Sequence, residues 1–157
     1  MPRELTPLEQ LQLLVPGYRG YKAKDLVRQD DFLIRRSVAD KIEQAISAIS
    51  MKESMIASTE PFSPQLKTLE FILSNLRLLE TEIMSAQAGG ADIYARWKIN
   101  VEELDKIVKH DLSMIQAAQK ILDLVKSEKY DEVMQAIQEL KNIYYDRMKL
   151  FYPPEYR

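Results

Sequence analysis

The sequence predicts an all-α protein: an antiparallel up-down-up-down four-helix bundle with a short N-terminal helix and one overlong helix. Three observations carry that expectation. The four Gly fall in two clusters, Gly17 with Gly20 and Gly89 with Gly90, and the seven Pro sit near segment ends, so long stretches contain no helix breaker. Within those stretches apolar residues recur three and four apart. The connections between consecutive stretches are mostly short, which turns each helix back on its predecessor so that the apolar stripes cover one another.

The first helix starts at Thr6, Pro7, Leu8 and Glu9. Thr6 is placed to accept from the first backbone amides, Pro7 suits the first helical position, and Glu9 closes a capping box. Pro16 and Gly17 stop it. From Tyr21 to about Ala57 no Gly or Pro intervenes, which predicts one very long helix of roughly 55 Å at 1.5 Å per residue. Its apolar positions change phase near Ser37. Ala23, Leu26, Val27, Leu33 and Ile34 centre about a quarter-turn from Val38, Ile42, Ala45, Ile46, Ile49 and Ile56. The later half belongs to the bundle. The earlier half needs another cover, either the short helix carrying Leu8, Leu11, Leu14 and Val15 or a second copy of the chain. Leu26, Val27, Leu33 and Ile34 are therefore the candidate self-association residues.

Ser63 and Pro64 open the next helix, whose stripe is Leu66, Leu69, Ile72, Leu73, Leu76, Leu79 and Ile83, ending at Gly89 and Gly90. After a short piece around Tyr94 and Trp97, Asn100 to Glu103 forms another capping box. Val101, Leu104, Val108, Ile115, Ala118, Leu122 and Val125 then carry the pattern to about Lys126. Ser127 to Tyr130 is a tight connection. The last helix runs through Val133, Ile137, Leu140, Tyr144, Met148 and Phe151 to Pro153 and Pro154. The expected organisation is a single domain over residues 1–157: an N-terminal helix and Gly-Tyr-Arg-Gly loop to residue 20, the bundle over 21–151, and a tail over 152–157.

Composition narrows function by exclusion. The chain has 157 residues, 46% of them hydrophobic, which is enough for one ordinary core. No apolar run approaches the roughly 20 residues of a membrane span, and the first fifteen residues lack a signal-peptide pattern, so a cytoplasmic location is expected. Without Cys there is neither a disulfide nor a thiolate zinc site, and one His cannot build a histidine-rich metal centre. Net charge is −2, so contact with nucleic acid needs a local basic patch.

Val15 to Lys22, the string Val-Pro-Gly-Tyr-Arg-Gly-Tyr-Lys, supplies the most distinctive candidate. Gly17 and Gly20 bracket Tyr18 and Arg19 and permit a sharp turn at a helix N-terminus, where anions are favoured. From Gly17 to Arg36 six basic residues stand against three acidic ones. Tyr18, Arg19, Tyr21, Lys22, Lys24 and Arg28 are the candidate partner or anion-binding residues, able to receive phosphate, nucleic acid or an anionic membrane surface. The competing structural reading is a solvated helix face on which Lys24, Arg28, Asp31 and Arg35 pair three and four apart. Residues Pro16 to Lys22, with the Lys24, Asp25, Leu26, Arg28, Asp31, Leu33 and Arg35 run beyond them, resemble a family of small uncharacterised prokaryotic helical proteins. That resemblance covers about a quarter of the chain and implies a recognisable module, without an activity or ligand.

Enzyme patterns are weak. A di-iron bundle requires Glu-x-x-His pairs, and the sole His110 follows Ile107 by three. His110 projects about 120° from its helix's apolar stripe, which predicts a solvent-exposed side chain near Asp111. Glu102 with Asp105 and Glu128 with Asp131 loosely look like the magnesium-binding carboxylates of all-helical nucleotide pyrophosphohydrolases. The first pair ends in Asp, however, and Glu128 lies in a turn. No Walker loop or Ser-His-acid set is present. Met134, Tyr144, Tyr145, Met148, Phe151 and Tyr152 serve as core filling or as an adaptable partner surface. The expectation is a non-enzymatic helical interaction or scaffold module, with no catalytic residue, cofactor or metal. Its expected partner is another protein or a second copy, with nucleic acid or another anion as the alternative.

Overall fold

A computed structural model describes residues 4–18, 27–85 and 101–150, with the side chains of 27–29, 101–104, 147, 148 and 150 left aside. Among the described residues every regular element is a helix: α1 (Pro7–Leu14), α2 (Val27–Thr59), α3 (Gln65–Ser85), α4 (Val101–Lys126) and α5 (Tyr130–Leu150). None is long and apolar enough to cross a membrane.

Local chemistry sets the visible ends. The Thr6 side chain accepts from the Glu9 amide at 3.2 Å and Pro7 occupies the first turn, so α1 begins where its capping box places it. The Ser63 hydroxyl accepts from the Gln65 amide at 3.3 Å at the entry to α3. The end of α4 is a Schellman turn: the Lys129 amide donates to the Leu124 carbonyl at 2.9 Å and the Glu128 amide to the Val125 carbonyl at 3.1 Å. Glu128 holds the left-handed position of that turn with φ 60°, where glycine is usual. Its carboxylate meets Lys52 Nζ at 2.7 Å and ties the turn to α2.

The helices pack as a bundle. α2 lies against α3 and α4, α5 lies against α4 and α3, and α1 rests on α4. The shared core includes Val38, Ile42 and Ile49 of α2, Leu69, Ile72 and Leu76 of α3, Met114, Ile115 and Ile121 of α4, and Val133, Ile137 and Leu140 of α5. Polar ties ring it. Lys41 Nζ donates to Gln119 Oε1 at 2.7 Å, Lys120 Nζ meets Glu139 at 3.1 Å, and the Tyr144 hydroxyl donates to the Glu82 carbonyl at 3.4 Å.

At 33 residues α2 is the longest helix, about 50 Å against about 31 Å for the 21-residue α3 and α5. It runs unbroken from Val27, while residues 21–26 of the expected rod lie outside the described set. The phase change near Ser37 reflects a wider buried arc. Asp30, Asp31, Ile34 and Arg35 are buried, because Val15 and Tyr18 join the core cluster that holds Ile34, and Arg35 reaches the end of α3. The expected solvated Asp31 and Arg35 face is thus corrected to a buried ion pair with Arg35 Nε and Asp31 Oδ2 3.0 Å apart.

Glu128 tests the balance between backbone strain and side-chain pairing. In a Lys52→Met background, Glu128→Gly is expected to stabilise the fold by about 0.5–1 kcal/mol, because no ion pair remains to be lost when the left-handed residue becomes glycine. Urea titration of the single and double variants reads this, and a double variant less stable than Lys52→Met alone contradicts it.

Candidate functional site

Gly17 takes φ +90°, and a Cβ placed there would lie 3.4 Å from Leu33 Cδ1, so the turn after α1 needs glycine both for its left-handed backbone and for its approach to α2. The turn is fastened by the Val15 amide donating to the Leu11 carbonyl at 2.7 Å and by the Tyr18 amide donating to the Val15 carbonyl at 3.2 Å. This geometry drives Tyr18 inward. Its side chain is 2% exposed, and its hydroxyl donates to Asp111 Oδ2 of α4 at 2.7 Å. A carboxylate buried among Ile107, Met114 and Ile115 requires such donors, because its desolvation costs several kcal/mol without them.

The second polar node lies where α2 begins and α3 ends. Arg35 donates from Nε to Asp31 and from one terminal nitrogen to the carbonyls of Ile83 and Met84, both at 3.2 Å. One guanidinium thereby satisfies a buried carboxylate and two backbone acceptors at a helix C-terminus, where a cation is favoured.

The structure divides the candidate residues. Tyr18 is spent inside the fold. Arg19, Tyr21, Lys22, Lys24 and Leu26 lie outside the described residues, and Val27 and Arg28 stand in the first turn of α2 with side chains outside the described set. Of the self-association candidates, Ile34 is 0% exposed within its own chain and Leu33 is half-buried against the same core, with Gly17 close beside Leu33. His110, expected in solvent, is half-buried, and its Nδ1 lies 3.1 Å from the Lys106 carbonyl, one turn back on its own helix. Glu128 is engaged by Lys52, and Asp105 and Asp131 are exposed. Among the described residues no group of three or more His, Cys, Asp or Glu is arranged to hold a metal ion.

Two features escaped sequence reasoning. One is the set of buried acids, Asp30, Asp31 and Asp111. Asp111 sits in the middle of the stripe Val108, Ile115, Ala118 and Leu122, so an acid at the centre of an apolar face was the available signal. The other is a seam of carboxyls between α2 and α3. Burial, then the hydrogen-bonded Glu43 carboxyl, then Asp40 push Glu80 up to about 7. Burial and Glu70 raise Glu53, against a smaller opposing effect of Arg77. Glu53 Oε1 is buried without a hydrogen-bond partner. A proton shared across each pair is the physical remedy.

Large apolar side chains stand outside this core. Phe62, in the Pro61 to Pro64 loop between α2 and α3, is 97% exposed, and Met51 and Met55 project from the last turns of α2. Phe71 and Leu78 do so on the outer face of α3, at 60% and 57%. No family model, curated protein or solved structure matches the chain.

Two measurements follow from this geometry. Tyr18→Phe is expected to destabilise the protein by about 1–3 kcal/mol, because it removes a donor to a buried carboxylate. Gly17→Ala is expected to cost about 1–2 kcal/mol through its left-handed backbone. Chemical denaturation checks both, and a wild-type midpoint for Tyr18→Phe would deny the bond its structural role.

The seam sets a pH dependence. Glu80 binds its proton more tightly folded than unfolded, so its contribution is full below about pH 4.5 and declines as pH rises towards 7. Glu80→Gln is expected to flatten the fall in stability between pH 5 and 8 by about 1 kcal/mol, the value left after solvent screening of a partly exposed carboxyl. Urea midpoints across that range decide it. An unchanged slope would exclude Glu80 as its source.

Proposed function

We propose that the protein is a non-enzymatic helical interaction module whose scaffold is an antiparallel up-down-up-down bundle. The alternating direction is supported by Arg35, near the start of α2, bonding carbonyls at the end of α3, and by Lys120 of α4 pairing with Glu139 across a three-residue connection to α5. The observation that carries the function is Phe62. A phenyl ring 97% exposed, held between Pro61 and Pro64 and accompanied by Met51 and Met55, contributes nothing to the core and keeps an apolar surface in water. An exposed aromatic side chain, with exposed methionines on the preceding helix, suits insertion into a partner's pocket.

Anion binding through Tyr18, Arg19, Tyr21, Lys22, Lys24 and Arg28 is the weaker reading. Its one aromatic with a described side chain is turned inward onto Asp111.

Cross-linked copurification from the native cell tests the proposal. A protein retained by the wild type is expected to be lost by at least about tenfold with Met55→Ser/Phe62→Ser, the loss of one well-buried anchor. The variant's melting temperature should stay unchanged, since both side chains are exposed. Equal retention by the two proteins would end the assignment to this tip.

A further inference from the structure

The outer face of α3 carries a second regular pattern, separate from the stripe that enters the core. Lys67, Phe71, Ser74, Leu78, Thr81 and Ser85 follow one another at spacings of four, three, four, three and four, and all six are exposed. Alternation of three and four is the seam of a helix that packs against another helix. From Phe71 to Ser85 this seam holds no charge. An acidic and a basic neighbour, Glu70 and Arg77, stand along one flank, both exposed. Among the described residues no salt bridge engages either side chain, and both face the Glu53 carboxyl, Glu70 as a second carboxyl and Arg77 as a cation.

From this arrangement we infer that the outer face of α3 docks a second copy of the chain, with the two α3 helices antiparallel about a two-fold axis near Ser74. The inference deepens the interaction reading above by naming the partner for this face, and it rests on that reading. A two-fold axis makes every contact occur twice, residue i on j and j on i. With Ser74 at the axis, Phe71 of one copy lies within one residue, about 1.5 Å of rise, of the level of Leu78 of the other. Glu70 comes as near to the level of Arg77, twice. The face is complementary to itself in charge only when reversed, with a small hydroxyl side chain at the crossing where the backbones come closest. α3 is about 31 Å long and a helix about 10 Å wide, so the contact falls below the roughly 800 Å² per partner of a long-lived complex. The dimer is therefore a reversible one.

Charge reversal of the full-length protein tests the inference through sedimentation velocity. The wild type is expected to show concentration-dependent dimerisation between about 10 µM and 1 mM, the range open to a small interface. Glu70→Arg alone and Arg77→Glu alone each set like charges together twice, and each is expected to weaken self-association by roughly ten- to a hundredfold. An equimolar mixture of the two variants restores both attractions, and it should associate as the wild type does. Recovery on mixing is a result that misfolding cannot imitate. A wild type that stays monomeric to about 1 mM, single variants that associate normally, or a mixture that stays monomeric would each overturn the inference. A different protein that copurifies with a monomeric wild type and is lost with Met55→Ser/Phe62→Ser leaves the interaction reading standing while this one falls. A dimer with no such partner supports this inference and confines the reading to self-association.

Discussion

The start of α2 imposes the governing constraint. The first described turns of the 33-residue α2 lie between the last described turn of α3, which Arg35 meets, and the early turns of α4. Apolar side chains there still have to leave water, each contributing about 1.5–3 kcal/mol when fully buried. The chain meets the demand with one turn. Gly17 admits a left-handed backbone close to Leu33, Tyr18 follows it inward, and Asp111 of α4 receives the hydroxyl. Ile34, next to Leu33, is fully buried. The distinctive Gly-Tyr pair thus acts first as a fastening between the N-terminal segment and the bundle.

The polar groups buried there belong to the long helices themselves, Asp30, Asp31 and Arg35 of α2 and Asp111 of α4. Arg35 illustrates the economy of the solution. Its guanidinium meets Asp31 and two terminal carbonyls of α3, a set of acceptors that a lysine ammonium, lacking the planar fork, would match less well. Such a node contributes little net stability compared with an apolar replacement, but it fixes where the end of α3 sits along α2. The carboxyl pairs further along the same seam work in the opposite sense. Glu43 with Glu80 and Glu53 with Glu70 make that contact cheapest when protons are shared, so the α2 and α3 pair carries both a positioning tie and an electrostatic weakness.

Helix content and much of the core were legible in the sequence because they rest on local rules. Thr6 and Pro7 mark the start of α1, and the stripe from Leu69 to Ile83 identifies the buried face of α3 before any packing is known. The start of α2 was less legible, because periodicity reports apolar residues and passes over buried polar ones. Asp31 and Arg35 stand four apart and read as a surface ion pair, and only the carbonyls of Ile83 and Met84, 48 and 49 residues further along the chain from Arg35, reveal the interior bond. Of the candidate site, the turn at Gly17 was readable and the destination of Tyr18 was not. Its partner Asp111 is 93 positions distant, and no local pattern links the two. The exposed Phe62 hid for a different reason: a Pro-flanked loop has no periodicity from which to infer burial.

α3 separates the demands of folding from those of association more cleanly than any other element. Its inner stripe of Leu69, Ile72, Leu76, Leu79 and Ile83 is at most 1% exposed and already supplies the amphipathic face that a bundle helix requires. Nothing in the packing then calls for Phe71 and Leu78 on the opposite side, where water meets them over more than half their surface. Folding cannot account for side chains that remain solvated in the folded state, since burial on folding is the source of their stabilising effect. A second face that is regular, free of charge along its centre and bordered by Glu70 and Arg77 is the basis for the proposed contact beyond the monomer. Changes at the inner positions act on stability first, while changes at the outer ones act on association and leave the core intact.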